Sequence, residues 1–163
     1  TMAKPPLISP ADYPLDRVFL DPEGFGGFNP QRFEFQQLTN VLHYDREANL
    51  IVASRVLAED EWWCRGHIPG RPLYPGVLQV EAMAQASCVH AHLQSGLGPE
   101  VFLGFAGIEG ARFRRTIGPG EKLWIAGNLT RSDPRRGAFR WEGQMIKEDG
   151  KVAAEATILG VAI

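Results

Sequence analysis

From Val77 to about Ser95 the chain runs without a glycine or proline, and its apolar residues surround a helical cylinder instead of lining one stripe. Val77, Leu78, Val80, Ala82, Met83, Ala84, Ala86, Val89, Ala91 and Leu93 fall on every side of it. That pattern predicts one long helix buried on most of its faces. Elsewhere short runs rich in β-branched and aromatic residues predict strands. They span Phe35 to Tyr44, Leu50 to Val56, Val101 to Ala106, Ala111 to Ile117, Lys122 to Thr130, Ala138 to Lys147 and Lys151 to Val161. Asp149-Gly150 predicts a two-residue hairpin turn between the last two, because glycine readily takes the positive φ such turns need. The first 30 or so residues are broken by prolines and glycines and predict an extended lead-in, with one short helical turn near Ala11 to Val18. Together the elements predict an α+β fold, one helix wrapped by an antiparallel sheet of five or six strands.

A length of 163 residues suits one domain and makes a two-domain dinucleotide enzyme improbable. No apolar run approaches the ~20 residues needed to cross a bilayer. The first residues also lack the apolar stretch of a signal peptide, which predicts a cytoplasmic protein. The two cysteines, Cys64 and Cys88, have no metal or disulfide spacing. Net charge is -2, which gives no reason to expect nucleic-acid binding. The total conceals an imbalance, since residues 1–61 carry ten acids against five bases and residues 111–140 carry eight bases against two acids.

Chemistry concentrates between His67 and Gln85. Pro69, Pro72 and Pro75 with Gly70 and Gly76 fix a rigid loop, and rigid loops can hold an imidazole in one orientation. Pro75 stands at the helix start, so the N–H groups of Gly76, Val77 and Leu78 should remain unpaired and, with the helix dipole, suit an oxygen that gains negative charge. Gly76 has no side chain to obstruct approach. Glu81 lies one and a half turns into a helix expected to be buried, where the neutral acid is favoured and suits a proton donor. Gln85, at i+4, can hydrogen-bond it. A base, an acid and an oxyanion donor fit proton abstraction beside a thioester carbonyl followed by loss of a β-hydroxyl. Cys88, His90 and His92 do not read as a metal site, since i and i+2 face different sides of a helix.

The pattern H-x-P-G-x-P-x-x-P-G-V-L-x-x-E-A-x-A-Q, met at all twelve specified positions, resembles the signature of the (3R)-hydroxyacyl-acyl carrier protein dehydratases of the FabZ type. The likeness extends to Phe102–Leu123 and to Asn29–Val41, dividing the chain into a lead-in at 1–28 and a dehydratase domain at 29–163. The resemblance implies a hotdog fold and dehydration to the trans-2-enoyl product in fatty acid biosynthesis, with neither metal nor organic cofactor. It implies that His67 takes the C2 proton, Glu81 protonates the departing 3-hydroxyl, the Gly76 N–H holds the thioester oxygen and the Leu73 carbonyl orients the His67 ring. It further implies an obligate homodimer with sites shared between subunits, and larger assemblies of three dimers occur in the family. Glu81, where the dehydratase-isomerases carry Asp, favours plain dehydration. Acyl carrier proteins are acidic, so Arg112, Arg114 and Arg115 are expected to form part of a docking surface near the tunnel mouth. The sequence departs from the family at Gln31, in place of a usual His, and at Thr39-Asn40, in place of an Asp-Arg pair. A hotdog acyl thioesterase and a catalytically silent carrier-binding subunit are the alternative readings.

Overall fold

The computed structural model describes residues 2–163. Two helices and six strands follow in chain order. Helix α1 (Pro22–Phe25) is a single turn, and α2 (Gly76–Ser95) is the long helix. The strands are β1 (Asn40–Asp45), β2 (Leu50–Val56), β3 (Leu103–Phe113), β4 (Lys122–Asp133), β5 (Ala138–Lys147) and β6 (Val152–Ala162). They form one sheet in the order β1-β2-β4-β5-β6-β3, antiparallel throughout. Helix α2 packs against strands β2 to β6. The central helix wrapped by an antiparallel sheet is the hotdog arrangement.

Burial on most sides of α2 holds, but incompletely. Met83, Ala86, Val89 and His90 are wholly buried, whereas Val77 is exposed and Glu81, Ala84 and Cys88 are half-buried. Those four fall on one face, at the spacing of successive turns. The inner core meets the sheet through Ile125, Trp141, Met145 and Ile158. A glycine pair opposite each other on β4 and β5, Gly127 and Gly143, makes room for Trp141; a Cβ on either would overlap its ring.

A second apolar cluster lies on the outer face of the sheet, where Ile8 from the lead-in joins Leu42, Val52, Trp124, Ile146 and Val152. The lead-in is tied down there by Leu7 N–H donating to Gln144 Oε1 at 2.8 Å and by Trp124 Nε1–H donating to the Tyr13 carbonyl at 2.8 Å.

Four sequence expectations require correction. The strand expected over Phe35 to Tyr44 begins only at Asn40, because Phe33–Phe35 forms a 3-10 turn and the Phe35 carbonyl and Gln37 N–H bond to the Gln85 side chain instead of to a neighbouring strand. The strands expected at Val101 to Ala106 and Ala111 to Ile117 are one strand, β3, whose irregularities at Phe105/Gly107 and Glu109/Arg112 absorb the glycines. The β5–β6 hairpin closes through three residues, Glu148-Asp149-Gly150, with Gly150 at φ 78° and Lys147 N–H donating to the Lys151 carbonyl. The helical turn of the lead-in is a 3-10 turn at Pro10–Asp12, and α1 was not anticipated, although Asp21 caps it through Gly24 N–H with Pro22 in its first turn.

Candidate active site

His67 is held at three points. Its N–H donates to the Trp63 carbonyl at 2.7 Å, its carbonyl accepts from Leu73 N–H at 2.8 Å, and its ring Nδ1 lies 2.8 Å from the Leu73 carbonyl. A carbonyl can only accept, so Nδ1 carries the hydrogen and Nε2 keeps a free lone pair. The side chain is exposed. The rigid loop expected between His67 and the helix thus fixes the ring so that Nε2 is the nitrogen left to act as a base.

At the start of α2 the expectation of three open N–H groups narrows to two. The Pro75 carbonyl accepts from Leu78 N–H and from Gln79 N–H, both at 3.0 Å, leaving Gly76 and Val77 without an acceptor among the described residues. The space a Gly76 side chain would fill is not open either, because the Phe113 ring lies 3.0 Å from the position of its Cβ. Glycine here admits Phe113, while the N–H stays available.

Glu81 is half-buried, not buried as the helix pattern predicted. Its Oε1 accepts from Gln85 Nε2 at 2.8 Å, as the i+4 spacing suggested. Gln85 is almost fully buried; its Nε2 also donates to the Phe35 carbonyl at 2.6 Å, and its Oε1 accepts from Gln37 N–H at 2.9 Å. A flipped amide would set its oxygen against two acceptors and its NH2 against an N–H donor, so the orientation is fixed. Oε1 of Glu81 is consequently engaged and Oε2 is its remaining oxygen. Gln37 extends the network, since Tyr74 Oη donates to its Oε1 at 2.8 Å. Burial pushes the Tyr74 hydroxyl up to about 12, against a smaller opposing effect of Arg55. Neither Gln37 nor Tyr74 was singled out in the sequence.

Glu81 opens onto a cavity of about 220 Å³ between α2 and the sheet. Ala84 and Cys88 continue the helix side, and Phe102, Phe105, Phe139 and Ile158 face them. The Cys88 thiol, raised to about 12 chiefly by burial, is a neutral apolar wall. His90 and His92 turn elsewhere: His90 Nδ1 accepts from Trp141 Nε1–H, and His92 lies between the Cys88 and Val101 carbonyls. Among the described residues no group of three His, Cys, Asp or Glu side chains is placed to hold a metal ion.

His67 and Glu81 share no hydrogen bond or ion pair among the described residues. The three arginines expected at a docking surface are placed unequally. Arg114 pairs with Glu155 at 2.5 Å and Arg115 with Asp149 at 2.7 Å, while Arg112 has no carboxylate partner among the described residues. Arg112 lies with Asn128, Glu142 and Thr157 on the outer side of the sheet, apart from the cavity beside Glu81.

Residues 29–157 match the FabA-like domain family, and the chain belongs to it. Within it the chain groups with the FabZ dehydratases. It is 39% identical over 131 residues to the 3-hydroxyacyl-[acyl-carrier-protein] dehydratase FabZ of Escherichia coli strain HS, a match covering 80% of this chain and 84% of that one. The Shigella boydii protein of the same name matches at the same identity and coverage. Among solved structures, the dehydratase heterocomplex ApeI:P from Xenorhabdus doucetiae superposes with a TM-score of 0.69 at 18% identity, covering 85% of this chain and 90% of that chain. A mutant thioesterase from Pseudomonas aeruginosa superposes at 0.66 with 14% identity, covering 90% and 96%. Both likenesses are of fold.

Proposed function

We propose that the chain is a hydro-lyase of fatty acid biosynthesis that dehydrates (3R)-3-hydroxyacyl-acyl carrier protein to the trans-2-enoyl product; its FabZ relatives are named 3-hydroxyacyl-[acyl-carrier-protein] dehydratases. The observation that carries the reading is the Leu73 carbonyl on His67 Nδ1, which leaves Nε2 as a base. Nε2 takes a proton from C2, and the electron pair moves toward the thioester carbonyl, whose oxygen is met by the Gly76 N–H. The C3–O bond then breaks as Glu81 Oε2 gives its proton to the departing oxygen, and water leaves. The imidazolium and carboxylate that remain are reset by proton exchange.

Two copies complete the site in this proposal. Strand β3 is an edge strand of 11 residues with Phe105, Ile108 and Phe113 exposed, and Phe102 and Val77 lie exposed near it. A long apolar edge demands a cover. A second copy on this edge supplies it and allows His67 of the partner subunit to meet Glu81. Arg112 is the strongest of the three candidate carrier-docking arginines, because it is not engaged by an acid. A cytoplasmic setting accords with this activity, and among the described residues no helix is long and apolar enough to cross a membrane.

The test is incubation with 3-hydroxyacyl and 2-enoyl thioesters while following both enoyl absorbance and free thiol. Interconversion without thiol release is expected. Thiol release with no enoyl change would replace the reading with thioester hydrolysis.

A further inference from the structure

Gln31 lines the same cavity as Glu81. Its Oε1 is buried and has no hydrogen-bond partner among the described residues. Gln85 spends both amide hydrogens and its oxygen on Glu81, Phe35 and Gln37. Glu81 keeps only Oε2. The backbone around Gln31 is fixed from both sides, since Arg32 Nη1 donates to the carbonyls of Asn29 and Gln31 and Asn29 Nδ2 donates to the Gln85 carbonyl. The amide oxygen is therefore an unmatched acceptor in the same cavity wall as Glu81, and leaving such a group unmatched is costly.

We infer that Gln31 is a substrate-positioning residue whose Oε1 accepts a hydrogen bond from the substrate's 3-hydroxyl, turning that oxygen's lone pair toward Glu81 Oε2. The inference rests on the dehydratase reading and deepens it. The substrate O–H remains on the leaving oxygen, the Glu81 proton adds to the same oxygen, and the two hydrogens depart together as water. The O–H becomes a stronger donor as Glu81 protonates that oxygen, so the contact strengthens toward the transition state, where it accelerates the reaction. A saturated acyl chain lacks the donor and gains nothing.

The experiment compares the unaltered protein with Gln31→Met, which keeps the side-chain length and removes the acceptor. Turnover and Kd are measured with (3R)-3-hydroxybutyryl-acyl carrier protein, and Kd alone with butyryl-acyl carrier protein. The expected result is a roughly ten-fold loss in kcat/KM and a weaker Kd for the hydroxyacyl form, with butyryl binding within about two-fold of the original. Equal weakening of both ligands, or no change in either, would overturn the inference. If the unaltered protein binds both but dehydrates neither, the dehydratase reading fails, and the Kd contrast still decides whether Gln31 reads the hydroxyl. Should Gln31→Met not fold, Gln31→Leu is read by the same ratio.

Discussion

The Nδ1–H of His67 points at the Leu73 carbonyl 2.8 Å away, and this contact decides which ring nitrogen can act. Because the side chain is exposed, removing it disturbs little packing. His67→Ala should lower kcat by about 10²–10⁴-fold with an unchanged Tm. Stopped-flow or steady-state enoyl absorbance alongside thermal melting checks both halves, and near-normal turnover would remove His67 from the mechanism.

Gln85 should behave differently, since it serves chemistry and structure at once. Gln85→Leu strands the Phe35 carbonyl and the Gln37 N–H and frees Glu81, so a stability loss of about 2–3 kcal/mol should accompany the loss of activity. Glu81→Gln should abolish turnover at little cost in stability, because Glu81 is only half-buried. Urea denaturation of the two variants separates these outcomes.

The Trp141 notch is a packing test remote from the reaction. Gly127→Ala or Gly143→Ala forces a methyl into the indole, and each should cost about 1–3 kcal/mol. If Tm is unchanged in both, Trp141 has another place to go.

Acid should weaken the fold through His90. Burial lowers its pKa from 6.5 to about 4, so the imidazole stays neutral in the folded chain while the unfolded chain protonates it. The unfolded state binds the extra proton as pH falls from 6.5 to about 4, and stability drops across that window by about 3 kcal/mol from this group. His90→Gln, which retains an acceptor for Trp141, should flatten the fall; unfolding free energies at pH 7, 5.5 and 4.5 would show it.

Much of this molecule was legible as sequence because its signals are local. The span of α2 follows from its uninterrupted apolar run between Pro75-Gly76 and Gly96, the limits of β5 from the glycines on either side, and the start of β2 from the polar residues 45–49 before it. The His67 loop, Glu81 and its i+4 partner Gln85 were legible for the same reason. What was hidden depends on contacts between distant segments. Phe35 looks like a strand residue until Gln85, 50 positions later, takes its carbonyl. Glu81 looks buried because its helix is apolar all round, yet the cavity beside it is formed by β3, β5 and β6. The arginines read as one basic surface until Glu155 and Asp149 engage two of them.

The four tryptophans divide sharply, with Trp63, Trp124 and Trp141 at 4% exposure or less and Trp62 at 56%. The protein thus carries its own optical labels. Iodide in solution should quench Trp62 alone, beside the exposed Phe33 turn. The shielded emission of Trp141, whose indole N–H is bound to His90, would report core opening without any dye. A titration in which the quenchable fraction moves and the shielded one does not would locate a binding event at the surface and leave the core closed.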